Sequence, residues 1–421
     1  MSWGFVEYNT KKKVGDFVII GIVGGGASGM AAAIAASEKP DNHVIIFERQ
    51  ARVGRKLSAT GNGRCNLSNI YACERGYHGT DESFPAATLS RYSPEDTLSW
   101  FHSLGLFTVT EPSGKVYPYS DQANSVVDVL RFALNKPNIC LRTGFEVAKI
   151  KKTQDGFLAE NEAESVFCHK IIIAAGGLAG TKLGGTMAGY KLLRSLGHRV
   201  TKLRPSLVQL KSSWRGVTGL KGVRATCNAR IMHNGVEKAH STGEIQFTEY
   251  GLSGPVIFEI SRDVCQENGD WSCVLDFLPS YSEQELYDEV IRRKTSALCA
   301  DELLTGILHN RLGRVIVQSA GISLSTPICQ LTNEDLHAVC QLVKGLEVTI
   351  TEPLGMDSAQ VTAGGIYTDE FDPQTLESRL VSGLFACGEV LDVDGDCGGY
   401  NLQWAWSSGR VAGSCAGRET E

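Results

Sequence analysis

Asp16-Phe-Val-Ile-Ile-Gly-Ile-Val23, Gly24-Gly-Gly-Ala-Ser-Gly29 and the alanine-rich stretch 30–37 read together as strand, glycine turn and helix. The first segment is short, apolar and β-branched, as a strand buried on both faces of a parallel sheet should be. The second satisfies G-x-G-x-x-G in the context that gives the pattern meaning, after a strand and at a helix start. Gly24 makes the tight turn, Gly26 lets the backbone approach a pyrophosphate, and Gly29 lets helix and strand pack closely. Ala27 and Ser28 open the helix, whose free N–H groups and partial positive charge suit phosphates. Residues 43–47 form a second buried strand. Glu48 closes it nineteen positions beyond Gly29. A carboxylate there fits ribose hydroxyls and repels a 2′-phosphate. This is the βαβ opening of a dinucleotide-binding domain.

The fingerprint alone leaves NAD and FAD open. Two distant segments favour FAD. Ile171-Ile-Ile-Ala-Ala-Gly-Gly177 is a buried strand ending in a small-residue turn, with Ala174, Ala175 and Gly176 beside the nucleotide. Leu384-Phe-Ala-Cys-Gly-Glu389 is another, and it places Gly388 and Glu389 against ribityl hydroxyls. The following Gly398-Gly-Tyr-Asn-Leu-Gln403 opens a helix, with Asn401, Leu402 and Gln403 at the flavin pyrimidine end. Its dipole would stabilise the anion of a reduced flavin. No second G-x-G-x-x-G occurs, so a nicotinamide donor must dock transiently or elsewhere.

Residues 54–69, Gly-Arg-Lys-Leu-Ser-Ala-Thr-Gly-Asn-Gly-Arg-Cys-Asn-Leu-Ser-Asn, follow Glu48 closely. A chain leaving the second strand here passes the pyrophosphate and then the flavin ring. Arg55 and Lys56 would neutralise phosphate, and Asn62, Arg64 and Asn66 would line the reaction face. Arg49, Leu57, Gly61 and Val147 complete the expected cofactor set. Cys65 has no cysteine partner nearby and is not expected to be redox-active. The nine histidines show no ligand-type spacing, so no metal site is expected, and His198 reads as structural. Gly251-Leu-Ser-Gly-Pro255 lacks the nucleophile-elbow spacing, which disfavours hydrolase chemistry.

The chain has 421 residues, 42% hydrophobic and 21% charged, which excludes disorder and allows two or three domains. The longest apolar run is far short of the ~20 residues of a membrane helix. Residues 1–17 carry Lys11, Lys12 and Lys13 but no cleavage site, so secretion is not expected and a cytoplasmic location is. The net charge of −6 and the absence of a basic run argue against nucleic acid as a partner. No obligate protein partner is evident. The thirteen cysteines form no CxxC pair and read as reduced thiols.

Helices are expected over 93–104 and 122–134, and strands over 139–150 and 166–174. From about residue 203 the pattern changes to short alternating runs at 207–210, 223–232 and 274–277, as in an antiparallel sheet or small barrel. Ser282 with Glu285 and Thr332 with Asp335 have capping-box spacing, the first opening a helix that extends toward 298. The fold class is therefore α/β. A discontinuous Rossmann-type domain, 1–194 and 356–421, is interrupted by a β-rich barrel-like domain, 195–280 and 320–355, with a small helical subdomain at 281–319.

Taken together, residues 54–69, Gly243-Glu-Ile-Gln-Phe-Thr-Glu-Tyr-Gly-Leu-Ser-Gly-Pro255, Thr362-Ala-Gly-Gly365 and 388–409 resemble one family over nearly the whole chain, 21–413. It is the aminoacetone oxidase-like, BaiN/YhiN-type flavoproteins. The resemblance implies FAD in a two-nucleotide-type Rossmann domain with an interrupting β-rich domain. Members are described as oxidases of aminoacetone or reductases of unsaturated oxo bile acids. The chain departs from the family at 178–186, where Leu178 and Ala179 stand in place of a Ser-Tyr-Pro sequence, and in the long lead at 1–14.

The leading expectation is NAD(P)H-dependent reduction of a C=C bond conjugated to a carbonyl in a small molecule. Hydride would reach the substrate from flavin N5, with Arg64 stabilising the enolate, Asn62 nearby and Tyr400 or Tyr250 donating the proton. Oxidation of a small amine, with Asp394 or Glu249 taking part, and a flavin-bound binding protein are the alternatives. With no His or Cys placed for attachment, FAD is expected to bind non-covalently.

Overall fold

The computed structural model describes residues 17–73 and 76–418. The lead at 1–14 and the Asp16 end of the first strand lie outside them. The chain forms two compact units that meet at Leu203/Arg204 and Thr362/Ala363. These boundaries replace those expected at 194/195 and 355/356.

The first unit is built on a five-stranded parallel sheet in the order Leu384–Ala386, Lys170–Ile173, Val18–Val23, Asn42–Glu48, Ile139–Thr143. Ile20, Ile22, Ile46, Ile171, Ile172 and Ile173 are fully buried, as apolar strands covered on both faces must be. The helix Ala27–Ala36 is alanine-rich because a second helix lies directly on it. That partner is the C-terminal helix Tyr400–Ala416. A Cβ on its Gly409 would stand 2.4 Å from the Ser28 carbonyl oxygen, and one on Gly413 2.2 Å from that of Ala32. Small residues on both helices allow this approach.

Two expected strands each divide in two. The stretch 139–150 breaks at Gly144 (φ +71°) into Ile139–Thr143 and Lys149–Lys152. The stretch 166–174 divides at His169 into Ser165–Cys168, in a small antiparallel sheet, and Lys170–Ile173, in the main sheet. His169 marks the change with two bonds to Ile19: its N–H donates to the Ile19 carbonyl (2.8 Å) and its Nδ1 accepts the Ile19 N–H (2.9 Å). The expected helices form as Pro94–Ser103, behind a Ser93/Asp96 capping box, and Ala123–Ala133.

The second unit contains a closed six-stranded antiparallel barrel. Its order is Leu210–Ser212, Gly251–Ser253, Val236–Phe247, Arg224–His233, Trp271–Asp276, Leu346–Pro353, returning to the first. Capping boxes at Ser282 and Thr332 start the helices Glu283–Arg292 and Asn333–Gly345. The first helix ends at Arg292, short of 298, in a single tight turn. Leu286, Val290, Leu312 and Ile316 share one core with Cys227, Ile231 and Leu275 of the barrel. Residues 281–319 are thus part of the barrel unit rather than a separate subdomain.

Candidate functional site

The site of the first unit is made by the loops at the C-terminal ends of neighbouring parallel strands, where ligands of open α/β sheets bind. The Gly24 N–H donates to the Phe47 carbonyl (2.8 Å), the Ala174 N–H to Val23 (2.9 Å) and the Cys387 N–H to Ile173 (3.1 Å). These bonds hold four strand ends in one row.

The three glycines of the fingerprint differ physically. A Cβ on Gly24 would meet the Ala174 carbonyl oxygen at 2.4 Å, and one on Gly29 the Gly24 carbonyl oxygen at 1.9 Å. Both are demanded by backbone packing. Gly26 has no atom within 4 Å of its Cβ position, and neither has Gly176 (φ +71°). Open space beside Gly26, at the start of a helix with no acidic residue in its first turn, is where a pyrophosphate fits. Both Glu48 oxygens accept backbone N–H groups, Oε2 from Gly25 (2.8 Å) and Oε1 from Gln50 (2.7 Å). The carboxylate is thereby aimed, and each oxygen keeps a lone pair for a ribose hydroxyl. These features fit the adenosine diphosphate half of FAD.

Beyond Glu48 the loop is tied back to the cradle, for the Gly54 N–H donates to the Gly25 carbonyl (2.9 Å). Arg49 donates to the Gly184 carbonyl (2.8 Å), and Arg55 to Gln50 Oε1 and the Lys182 carbonyl (both 3.0 Å). Lys56 forms an ion pair with Glu389 (2.8 Å). The two residues expected to serve phosphate and ribityl separately are therefore partners.

Several residues expected at the cofactor use their side chains within the protein, so their backbones are what is left for a ligand. Leu57 and Val147 are buried in the core, so only their backbones can reach a ligand. Asn401 is occupied by the Gly395 turn, accepting its N–H (2.9 Å) and donating to its carbonyl (2.7 Å). Gln403 is fully buried, accepting from Ser68 (2.6 Å) and donating to Thr97 and Ser407 (both 2.8 Å). Leu402 packs partly buried against the core. The C-terminal helix starts at Gly399 (φ +103°) with no side-chain cap and no acid in its first turn.

The 54–69 loop exposes Gly61 and Asn62, both in left-handed conformation. Arg64 is also exposed. Its Nε lies 2.6 Å from Asp121 and its Nη2 3.5 Å from Glu111, and its guanidinium stacks 4.2 Å above the Tyr117 ring. The hydrogen bond to Asp121 raises its pKa further. As an oxyanion-stabilising group it must therefore share its charge with two acids. Tyr400 lies edge-on to Tyr77 at 5.8 Å, and burial pushes the Tyr77 phenol well above its usual value. Cys65 is buried and burial pushes its thiol up to about 12, which withholds the reactive thiolate. Asp394 is buried, whereas Glu249, in the second unit, is exposed and paired with Lys221 (2.5 Å).

Two tryptophans of the C-terminal helix act by position. Trp404 Nε1 donates to the Gly388 carbonyl (3.1 Å) and Trp406 Nε1 to that of Leu67 (2.9 Å). One helix thus pins both loops that border the cofactor region. Asp392 also acts by position. Its buried carboxylate accepts both the backbone N–H and the hydroxyl of Thr80.

Away from this row, Glu370, His198 and Ser378 form a buried chain. His198 Nδ1 lies 2.8 Å from Glu370 and Nε2 3.0 Å from Ser378 Oγ. Ser378 Oγ also accepts the N–H groups of Leu380 (3.1 Å) and Val381 (2.9 Å). Its lone pairs are occupied, so the arrangement braces the fold and presents no nucleophile.

Residues 18–415 match the family model described as HI0933-like protein Rossmann domain. The chain is 39% identical over 404 residues to a 3-dehydro-bile acid delta(4,6)-reductase of Clostridium scindens, covering 94% of this chain and 98% of that one. It is 30% identical over 398 residues to a ribosomal RNA dihydrouridine synthase of Escherichia coli, covering 94% and 96%. A second protein of that name, from Haemophilus influenzae, is 28% identical, covering 92% and 95%. Among solved structures, a 3-ketosteroid delta1-dehydrogenase from Sterolibacterium denitrificans has a TM-score of 0.51 at 12% identity, covering 96% of this chain and 99% of that one. That likeness concerns the fold. With the glycine turn, the Glu48 carboxylate and the parallel strand row in place, the chain belongs to the HI0933-like Rossmann-domain family of flavoproteins and is an FAD-dependent oxidoreductase.

Proposed function

We propose that the protein reduces a C=C bond conjugated to a carbonyl in a small oxo compound, using a nicotinamide nucleotide as donor and non-covalent FAD as carrier. The observation that carries this reading is the 39% identity, over almost the full length of both chains, to a delta(4,6)-reductase of 3-dehydro-bile acids. When bound, FAD would supply hydride transfer between the donor and the carbon β to the carbonyl. The chain's own part is to cradle the pyrophosphate at Gly26, hold ribose at Glu48 and fix the loops that carry Lys56, Arg64 and Glu389. Arg64 then stabilises negative charge on the carbonyl oxygen, with Tyr400 as proton donor to the α-carbon. Thirteen free cysteines accord with a reducing, cytoplasmic setting. Among the described residues no helix is long and apolar enough to cross a membrane.

A second reading keeps the chemistry and changes the substrate. Two relatives, at 30% and 28% identity over more than nine-tenths of this chain, bear the name ribosomal RNA dihydrouridine synthase. Uracil also has a C=C bond conjugated to a carbonyl. The net charge of −6 favours a small substrate over a polyanion.

The test is product analysis by mass spectrometry with NADPH and a 4-en-3-one bile acid. In parallel, ribosomal RNA nucleosides are compared from cells with and without the gene. Gain of two hydrogens by the bile acid supports the first reading. Loss of dihydrouridine from the RNA of cells lacking the gene, with no bile-acid product, transfers the assignment to the second. An acid-precipitated pellet that keeps the flavin would contradict non-covalent binding.

A further inference from the structure

We propose that the groove between residues 50–55 and the helix Ala123–Ala133 binds the phosphorylated adenosine end of the hydride donor, a dinucleotide carrying a 2′-phosphate. This rests on the reading above that a nicotinamide nucleotide is the donor.

The groove encloses about 580 Å³ and has Arg52, Arg55 and Arg131 in its walls. Its one carboxylate is Asp128, 3.2 Å from Arg131. Arg55 is fixed by two neutral acceptors, Gln50 Oε1 and the Lys182 carbonyl, so its position is set while its charge stays uncompensated. Arg52 is exposed and makes no ion pair among the described residues. The lining also includes Val53 and Val127, both largely buried, so an apolar surface lies between cations. Guanidinium groups around a partly apolar hollow suit a phosphate dianion on a ribose that also carries a flat base.

The nucleotide cradle cannot serve this ligand. Glu48 gives that cradle a carboxylate at the ribose, which accepts hydroxyls and repels a 2′-phosphate. Only Arg55 is common to the groove and the residues expected at FAD. The 2′-phosphate lies at the end of the donor remote from its nicotinamide ring. Its site therefore need not border the flavin ring.

Isothermal titration of the FAD-loaded protein with NADP⁺ and NAD⁺ tests this without turnover. We expect NADP⁺ to bind at least tenfold more tightly than NAD⁺. Arg52→Glu and Arg131→Ala should each weaken NADP⁺ about tenfold or more, the loss for one charge-assisted hydrogen bond, while the flavin absorbance per chain stays that of the wild type. Arg292→Glu, an exposed charge reversal in the second unit, is the control. Equal affinity for the two nucleotides, no NADP⁺ binding, unchanged binding by both groove variants, or FAD loss from Arg52→Glu would each overturn the proposal. NADP⁺ binding through these arginines without flavin reduction by NADPH would remove the donor reading and leave the groove. Reduction by NADPH that both variants leave unaltered would do the reverse.

Discussion

Lys56 Nζ stands 2.8 Å from Glu389 Oε2 and joins the segment after the second strand to the segment after the last one. Both side chains remain partly accessible, at 33% and 20%. The pair closes the row of strand ends and leaves each group within reach of a ligand. Lys56→Met should loosen FAD several-fold, because it leaves the Glu389 carboxylate unbalanced. In a double-mutant cycle with Glu389→Gln the coupling should be roughly 0.5–1 kcal/mol. Strict additivity in FAD affinity would show that the pair is incidental.

The empty space beside Gly26 makes a sharper prediction. Nothing in the protein opposes a side chain there, so Gly26→Val should fold with a normal circular dichroism spectrum. The valine would occupy the pyrophosphate position, and the purified protein should carry less than about a tenth of the usual flavin, a loss of one tenfold step in binding or more. A Gly26→Val protein with full flavin absorbance would remove the cofactor site from this loop.

Gln403 ties Ser68, Thr97 and Ser407 together in a fully buried position. Gln403→Leu keeps the volume and removes one hydrogen bond from each partner, while Ser407 keeps its bond to the Tyr92 carbonyl (2.6 Å). The cost should be roughly 1–3 kcal/mol, the usual scale for a buried polar group left unpaired. Urea unfolding followed by tryptophan fluorescence checks this. A loss below about 0.5 kcal/mol, the scale of surface substitutions, would mean the network is dispensable.

The His198–Glu370 pair predicts a two-stage acid sensitivity. Burial lowers the His198 pKa, against the opposing pull of Glu370. The unfolded chain therefore takes up more protons than the folded one as pH falls below about 6.5, and stability declines with it. For Glu370, burial works to raise the pKa, but hydrogen bonds from Arg199 and His198 outweigh it and hold the carboxyl below its usual value. Its contribution is present above the unfolded carboxylate range and is lost as pH falls through the lowered folded value. His198→Asn keeps a donor toward Glu370 and should shrink the first stage only, leaving the part that comes from His169, whose pKa burial also lowers. Urea midpoints taken from about pH 7.5 to pH 4 would show it. A wild-type midpoint constant between about pH 7 and pH 5.5 would contradict the assignment.

What could be read in advance was local. The strand, glycine turn and helix at 18–36 announce themselves because each step depends on neighbours in sequence. The same holds for the capping boxes at Ser93, Ser282 and Thr332. Glu48 was legible as the end of the second strand because its spacing from Gly29 is set by one helix and one strand. The failures came from long-range contacts. No local pattern says that His169 divides one apolar run between two sheets. None says that the Gln403 side chain turns into the protein, or that Lys56 meets a partner 333 positions away. The glycine turn was legible, but not the contrast of Gly26 with Gly24 and Gly29, which depends in part on Ala174 arriving from a distant strand.

The central claim is that electrons pass from a nicotinamide nucleotide through FAD to a conjugated C=C bond. The most direct measurement is a two-step anaerobic absorbance experiment on the purified protein. NADPH is added first and a 4-en-3-one second. Rapid bleaching of the flavin band is expected, and its return on adding the enone, with one reduced double bond formed per flavin reoxidised. Bleaching that only oxygen reverses, with no reduced product, would contradict it and point to an oxidase.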